Sequence, residues 1–177
     1  VSATIRQEMK ELPAILNTGY REIDLPLSPV PTREELLKIE SSASGYIKTW
    51  SRRLIDQLDR GEKLMESYPY YPVQIWNLGG LTWMSLGGEV VVEYALQVKK
   101  LFGNETFILG YCNDMMGYIP SLTILHEGGY EGATSQVYFE GVSSTWDAGI
   151  ETRILYEIIS LADSMKIPKK FSRLHVK

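Results

Sequence analysis

The spacing of apolar and polar positions changes along this chain. Ile5, Met9, Leu12 and Ile15 recur near helical spacing, but Pro13 would break a helix interior and Gly19 follows, so the opening predicts a short helix. Tyr20 to Leu27 alternates instead, with Ile23, Leu25 and Leu27 on one face. Pro26 lies inside this run and Pro29 and Pro31 follow it, which predicts an edge or ending strand. Thr32-Arg33-Glu34-Glu35 has the capping-box form. The apolar stripe Leu36, Ile39, Ala43, Tyr46, Ile47, Trp50, Leu54 and Leu58 then predicts one long helix packed on a core by one side.

Ser67 to Pro72 reads as turn-rich. Val73 to Leu78 and Leu81 to Leu86 are two apolar runs joined by only Gly79-Gly80, which predicts a hairpin because such tight turns need positive φ. From Glu89 the period becomes helical through Val91, Tyr94, Ala95, Val98 and Leu101, with Lys99 and Lys100 in the last turn and Gly103 as the stop. Phe107 to Tyr111 predicts a buried strand, and Ile150 to Met165 an amphipathic helix ending before Pro168. Between Gly110 and Gly149 there is little periodicity but much glycine, tyrosine and acid. A long irregular stretch with this apolar content points to function, so the site is expected there and at the Gly87-Gly88-Glu89 turn. The fold class that emerges is α/β, a mixed sheet flanked by helices, without a detectable internal repeat.

Composition narrows the possible partners. With 177 residues, 44% hydrophobic and 23% charged, the chain has the mix of a globular domain. No apolar run reaches the ~20 residues needed to span a bilayer. A net charge of -4 gives no general attraction for phosphate backbones, so nucleic acid is not an expected partner. The single cysteine, Cys112, excludes an internal disulfide framework, and the two histidines, His126 and His175, limit the metal chemistry available to the chain alone. Val1 followed by polar Ser2-Ala3-Thr4 suggests a processed, cleaved or engineered N-terminus.

Few residues are marked out for chemistry by type and place. Glu89 stands where a strand hands over to a helix, a position that suits a catalytic carboxylate and equally a first-turn acid complementing the helix dipole. Cys112 and His126 match no zinc spacing, which favours packing or surface roles for them. The paired glycines match neither phosphate-binding pattern. Tyr118 and Tyr130 bracket an irregular segment. Each phenol could stabilise an oxyanion, bind a metal as phenolate, or simply pack at the rim of a core.

The succession Leu78-Gly79-Gly80-Leu81-Thr82-Trp83-Met84-Ser85-Leu86-Gly87-Gly88-Glu89, then Gly110-Tyr111-Cys112-Asn113, Gly117-Tyr118-Ile119-Pro120 and Gly128-Gly129-Tyr130-Glu131-Gly132, resembles the neutral/alkaline (non-lysosomal) ceramidase family, its bacterial members most. The resemblance runs from about Tyr20 to Met165. It implies the C-terminal portion of a ceramidase-like catalytic domain, spanning 1–177, in which Glu89 and Tyr118 are ligands of a zinc ion and Tyr130 assists at the substrate carbonyl. The family's two histidine ligands come from its N-terminal half, and neither His126 nor His175 lies in a histidine motif of that kind. The implied activity is zinc-dependent hydrolysis of the N-acyl bond of ceramide or a related N-acyl lipid, giving a sphingoid base and a fatty acid. The implied partners are a lipid amide and either the N-terminal half or a homo-oligomer partner covering an exposed face. The implied location is secreted or cell-envelope associated. The alternative is a non-catalytic binding or assembly module in which these residues are structural.

Overall fold

The computed structural model describes residues 2–139 and 141–170; His175 lies outside them. A four-stranded mixed sheet flanked by helices forms the centre, in the order β1 (Leu16–Pro26), β2 (Ser67–Leu78), β3 (Leu81–Leu86) and β5 (Phe107–Leu109). The first three strands are antiparallel, and β5 joins β3 in parallel after the crossover helix α4 (Val92–Phe102). The expected hairpin forms with Leu78 opposite Leu81, and both linking glycines take positive φ. As expected, β1 is an edge strand ending at Pro26.

The helix α7 (Ile150–Ser164) lies over the inner face of the sheet. At Gly19 a Cβ would meet the Met165 sulfur at 2.6 Å and a Leu161 methyl at 2.9 Å, so glycine lets the helix sit directly on β1. The main core collects Ile75, Met84 and Leu86 from the sheet, Tyr94 and Val98 from α4, and Ile150, Ile154 and Ile158 from α7. A second cluster of Leu36, Leu54, Ile55 and Leu64 joins helices α2 (Arg33–Ser42) and α3 (Gly45–Asp59). On the sheet's outer face, register lines up Thr18, Trp76, Trp83 and Phe107, and the three aromatics remain exposed. Among the described residues no helix is long and apolar enough to cross a membrane.

Several expectations are corrected. Helix α1 is confined to Ser2–Ile5. The single long helix from Thr32 is two helices: Ala43 and Ser44 are extended and Gly45 takes φ +59°. The Ser41 and Ser42 hydroxyls donate to the Lys38 carbonyl just before this break, the backbone competition that makes serine a poor continuation of a helix. Consequently Tyr46 and Ile47 are exposed instead of facing the core. Ser67 to Pro72 is strand, not turn, because Tyr68 and Tyr71 suit a sheet, a register shift accommodates Tyr70, and Pro72 lies outside the β3 ladder, where its missing N–H costs nothing. Phe107 to Tyr111 yields only a three-residue strand, with Phe107 exposed. Glu89 is not in a helix: Glu89–Val90 is a short strand, β4, and α4 starts at Val92. The dipole-complementing acid of that helix is Glu93.

Candidate functional site

The site grows from the end of β3, where Gly87-Gly88 turn the chain outward. Gly88 has φ +68°, and a Cβ there would lie 2.7 Å from the Gly117 carbonyl oxygen. Two segments therefore close on the turn. On one side β4 pairs in parallel with β6 (Tyr118–Ile119), setting Glu89 opposite Tyr118, with the Glu89 amide donating to the Gly117 carbonyl at 2.8 Å. On the other side the amides of Tyr111 and Cys112 donate to the Gly88 and Leu86 carbonyls at 2.8 and 3.0 Å.

Buried side chains fix these backbones. The Tyr71 hydroxyl donates to the Gly87 carbonyl at 3.0 Å, Tyr94 donates to the Pro120 carbonyl at 3.1 Å, and the Trp146 indole donates to the Tyr118 carbonyl at 2.8 Å. Burial pushes the Tyr71 and Tyr94 phenols far up, so they remain donors across the accessible pH range. Beyond β6, Ser121 caps α5 (Leu122–Glu127) through the Ile124 amide. The one-turn helix α6 (Gly129–Gly132) carries Tyr130, and its Gly132 sits where a Cβ would be 2.3 Å from the Ile124 carbonyl oxygen. This close turn brings the Tyr130 ring edge-on to Tyr118, with centroids 5.6 Å apart.

Glu89, Tyr118 and Tyr130 are thus gathered from three separate segments. A pocket of about 240 Å³ beside Glu89 and Tyr118 is lined also by Glu93, Ile124 and Glu131 and carries no basic side chain; Tyr130 does not line it. Burial first, and then the Glu89 charge, raise the Tyr118 phenol, which disfavours phenolate unless a cation offsets it. Sequence reasoning gave no role to Tyr111. The neighbouring Glu89 carboxylate is the main reason its phenol is raised to about 12. Tyr111 also has φ +58°, an uncommon conformation for a bulky residue and one that clusters at functional sites. The only sequence signal was its place in Gly-Tyr-Cys-Asn, where Asn113 also takes positive φ.

A direct check is available. In Glu89→Gln the Tyr111 phenol should titrate nearer its ordinary value of 10, because removing a neighbouring negative charge makes a second negative charge easier to form. The measurement is a pH titration of ring-labelled tyrosine by NMR; an unchanged Tyr111 midpoint would count against the contact.

His126 is exposed in the last turn of α5 and does not line the pocket. Cys112 is half-buried, and its thiol donates to the Gly110 carbonyl at 3.2 Å. Among the described residues no group of three or more His, Cys, Asp or Glu side chains is placed to hold a metal ion. Glu89 and Tyr118, paired across the ladder, offer one carboxylate and one phenol and no nitrogen or sulfur donor. The nitrogen donors that zinc favours would have to come from elsewhere.

No family model, curated protein or solved structure matches this chain.

Proposed function

We propose that this chain supplies the carboxylate and tyrosine side of an amide-hydrolase site of the neutral ceramidase type. What supports the reading is the meeting of Glu89, Tyr118 and Tyr130, residues from three segments singled out by resemblance, at one short parallel ladder and one ring contact. Glu89 and Tyr118 would hold zinc together with histidines of an N-terminal half. A zinc ion bound there would supply Lewis-acid chemistry and ease the deprotonation of water. Tyr111, whose phenol is raised by the neighbouring Glu89 carboxylate, would help hold the direction of that carboxylate, a positioning role. Tyr130, exposed and beside Tyr118, donates its O–H to the substrate carbonyl oxygen as that oxygen gains charge. The acyl carbon gains the oxygen of water, the C–N bond breaks, and the amine leaves with a proton. The substrate class is an N-acyl lipid.

The exposed row of Trp76, Trp83 and Phe107 favours a second reading, a non-catalytic assembly module whose sheet face packs on another polypeptide. Either reading gives that face a partner, the N-terminal half or a second copy.

The deciding experiment uses the protein carrying both this chain and the histidine-bearing part. Release of fatty acid from ceramide is expected, with Glu89→Ala abolishing it and Tyr130→Phe lowering kcat/KM by roughly 10²–10³-fold, both with unchanged circular dichroism. Wild-type turnover in both variants would overturn the assignment.

A further inference from the structure

We infer that the N-terminal segment Ser2–Leu12 is a docking helix for a groove on a second copy of this chain. Ile5, Met9 and Leu12 fall on one helical stripe, yet only Ser2–Ile5 is helical and all three side chains are exposed, by 63%, 67% and 42%. Among the described residues, the amides of Glu8 to Leu12 donate to no backbone carbonyl. An amphipathic segment this short is marginal as a helix in water without a surface for its stripe. Pro13 marks where such a helix would end.

The molecule carries a fitting surface. A largely apolar groove of about 770 Å³ runs between α2, α3 and the 3-10 turn Thr134–Tyr138, with Val30, Ile39, Ile47, Trp50 and Val137 in its lining. Gln136 also lines it. This residue is 3% exposed, and neither polar atom of its side-chain amide has a hydrogen-bond partner among the described residues. A buried, unpaired amide is costly, and here it marks a surface that lacks its polar complement. On a helical Ser2–Leu12, Glu8 and Glu11 fall on one flank of the stripe, which sets them toward Lys38 on the α2 wall of the groove, where the Glu35 carboxylate is already engaged by Thr32.

Reach selects the occupant. The segment leaves the fold at the hairpin end, where the Ile15 carbonyl accepts from the Gly79 amide at 2.8 Å. The groove begins at Pro29, beyond the other end of the 11-residue strand β1, about 35 Å away. A helix from Ser2 to Leu12 is only about 16 Å long, so it cannot fold back onto its own groove. Two copies side by side in opposite directions bring each segment to the other's groove, which closes a two-fold dimer. The inference does not depend on the zinc reading.

Sedimentation of the full 177-residue chain should show a concentration-dependent species of twice 20.1 kDa. Met9→Asp and Ile47→Asp lie on opposite sides of the contact and are exposed, so each should give a folded monomer with less helical signal than the dimer. Lys38→Glu should weaken the dimer about tenfold, with recovery when combined with Glu8→Lys. A chain that stays monomeric at every concentration overturns the inference. So does a dimer that survives both Met9→Asp and Ile47→Asp, which would assign self-association to the outer face of the sheet.

Discussion

Replacing Trp146 by alanine is expected to lower the unfolding free energy by about 3–5 kcal/mol, the range for emptying a fully packed aromatic site. The side chain is 1% exposed and packs edge-on against Tyr68, with ring centroids 6.1 Å apart. Its neighbourhood joins three parts of the fold: Trp146 bridges Leu27, the Ser28 hydroxyl donates to the Trp146 carbonyl at 2.9 Å, and the indole holds the Tyr118 carbonyl. Trp146→Phe separates the two contributions. It keeps most of the packing but leaves the Tyr118 carbonyl without its indole donor, a loss of about 1–3 kcal/mol. Urea denaturation should show both losses as lower midpoints with little change in slope. A loss under about 1 kcal/mol for the alanine variant would show that the ring is not holding the strand ends together.

Gly88→Ala should be among the damaging single-methyl changes at the site. The left-handed backbone costs a Cβ-bearing residue about 1–2 kcal/mol. The added methyl would also meet the Gly117 carbonyl oxygen at 2.7 Å and the Met116 sulfur at 2.8 Å, overpacking worth about 1–3 kcal/mol more. The expected loss is therefore about 2–5 kcal/mol. Its geometric outcome matters more, since relief of the clash requires β4 and β6 to move apart and thus separates Glu89 from Tyr118. Amide hydrogen exchange at Glu89, which donates to Gly117, should quicken in the variant while exchange in β2 and β3 stays slow. Unchanged protection at Glu89 would show that the turn absorbs the methyl elsewhere.

Elements with their own period or punctuation were legible in the sequence. The Gly79-Gly80 hairpin, the Val91–Leu101 stripe and the Ile150 helix follow from spacing. The Thr32 cap forms as read, with the Glu35 amide donating to the Thr32 hydroxyl and the Glu35 carboxylate accepting from the Thr32 amide. What escaped were features decided by partners distant in sequence. Ser67–Pro72 becomes strand because β1 is there to pair with it. Glu89 becomes strand because two residues of β6 arrive beside it, and no two-residue element can show a period. The same holds at the site. Spacing alone left Glu89, Tyr118 and Tyr130 open to structural roles, and only the resemblance joined them. Tyr111 was passed over because its importance lies in a backbone angle and a carboxylate contact imposed by the folded chain.

The short ladder between β4 and β6 also bears on the order of folding. Its partners are separated by 118 − 89 = 29 residues, and it contributes only two paired positions, whereas the hairpin closes over two glycines and adds six. Closing the longer loop costs more chain entropy and is repaid by fewer contacts, so it should lag behind the hairpin. The refolding chain would then pass through a stage with an assembled sheet and an open site. Protection of the Glu89 amide in pulse-labelled exchange should therefore appear later than protection of Ile75 and Met84.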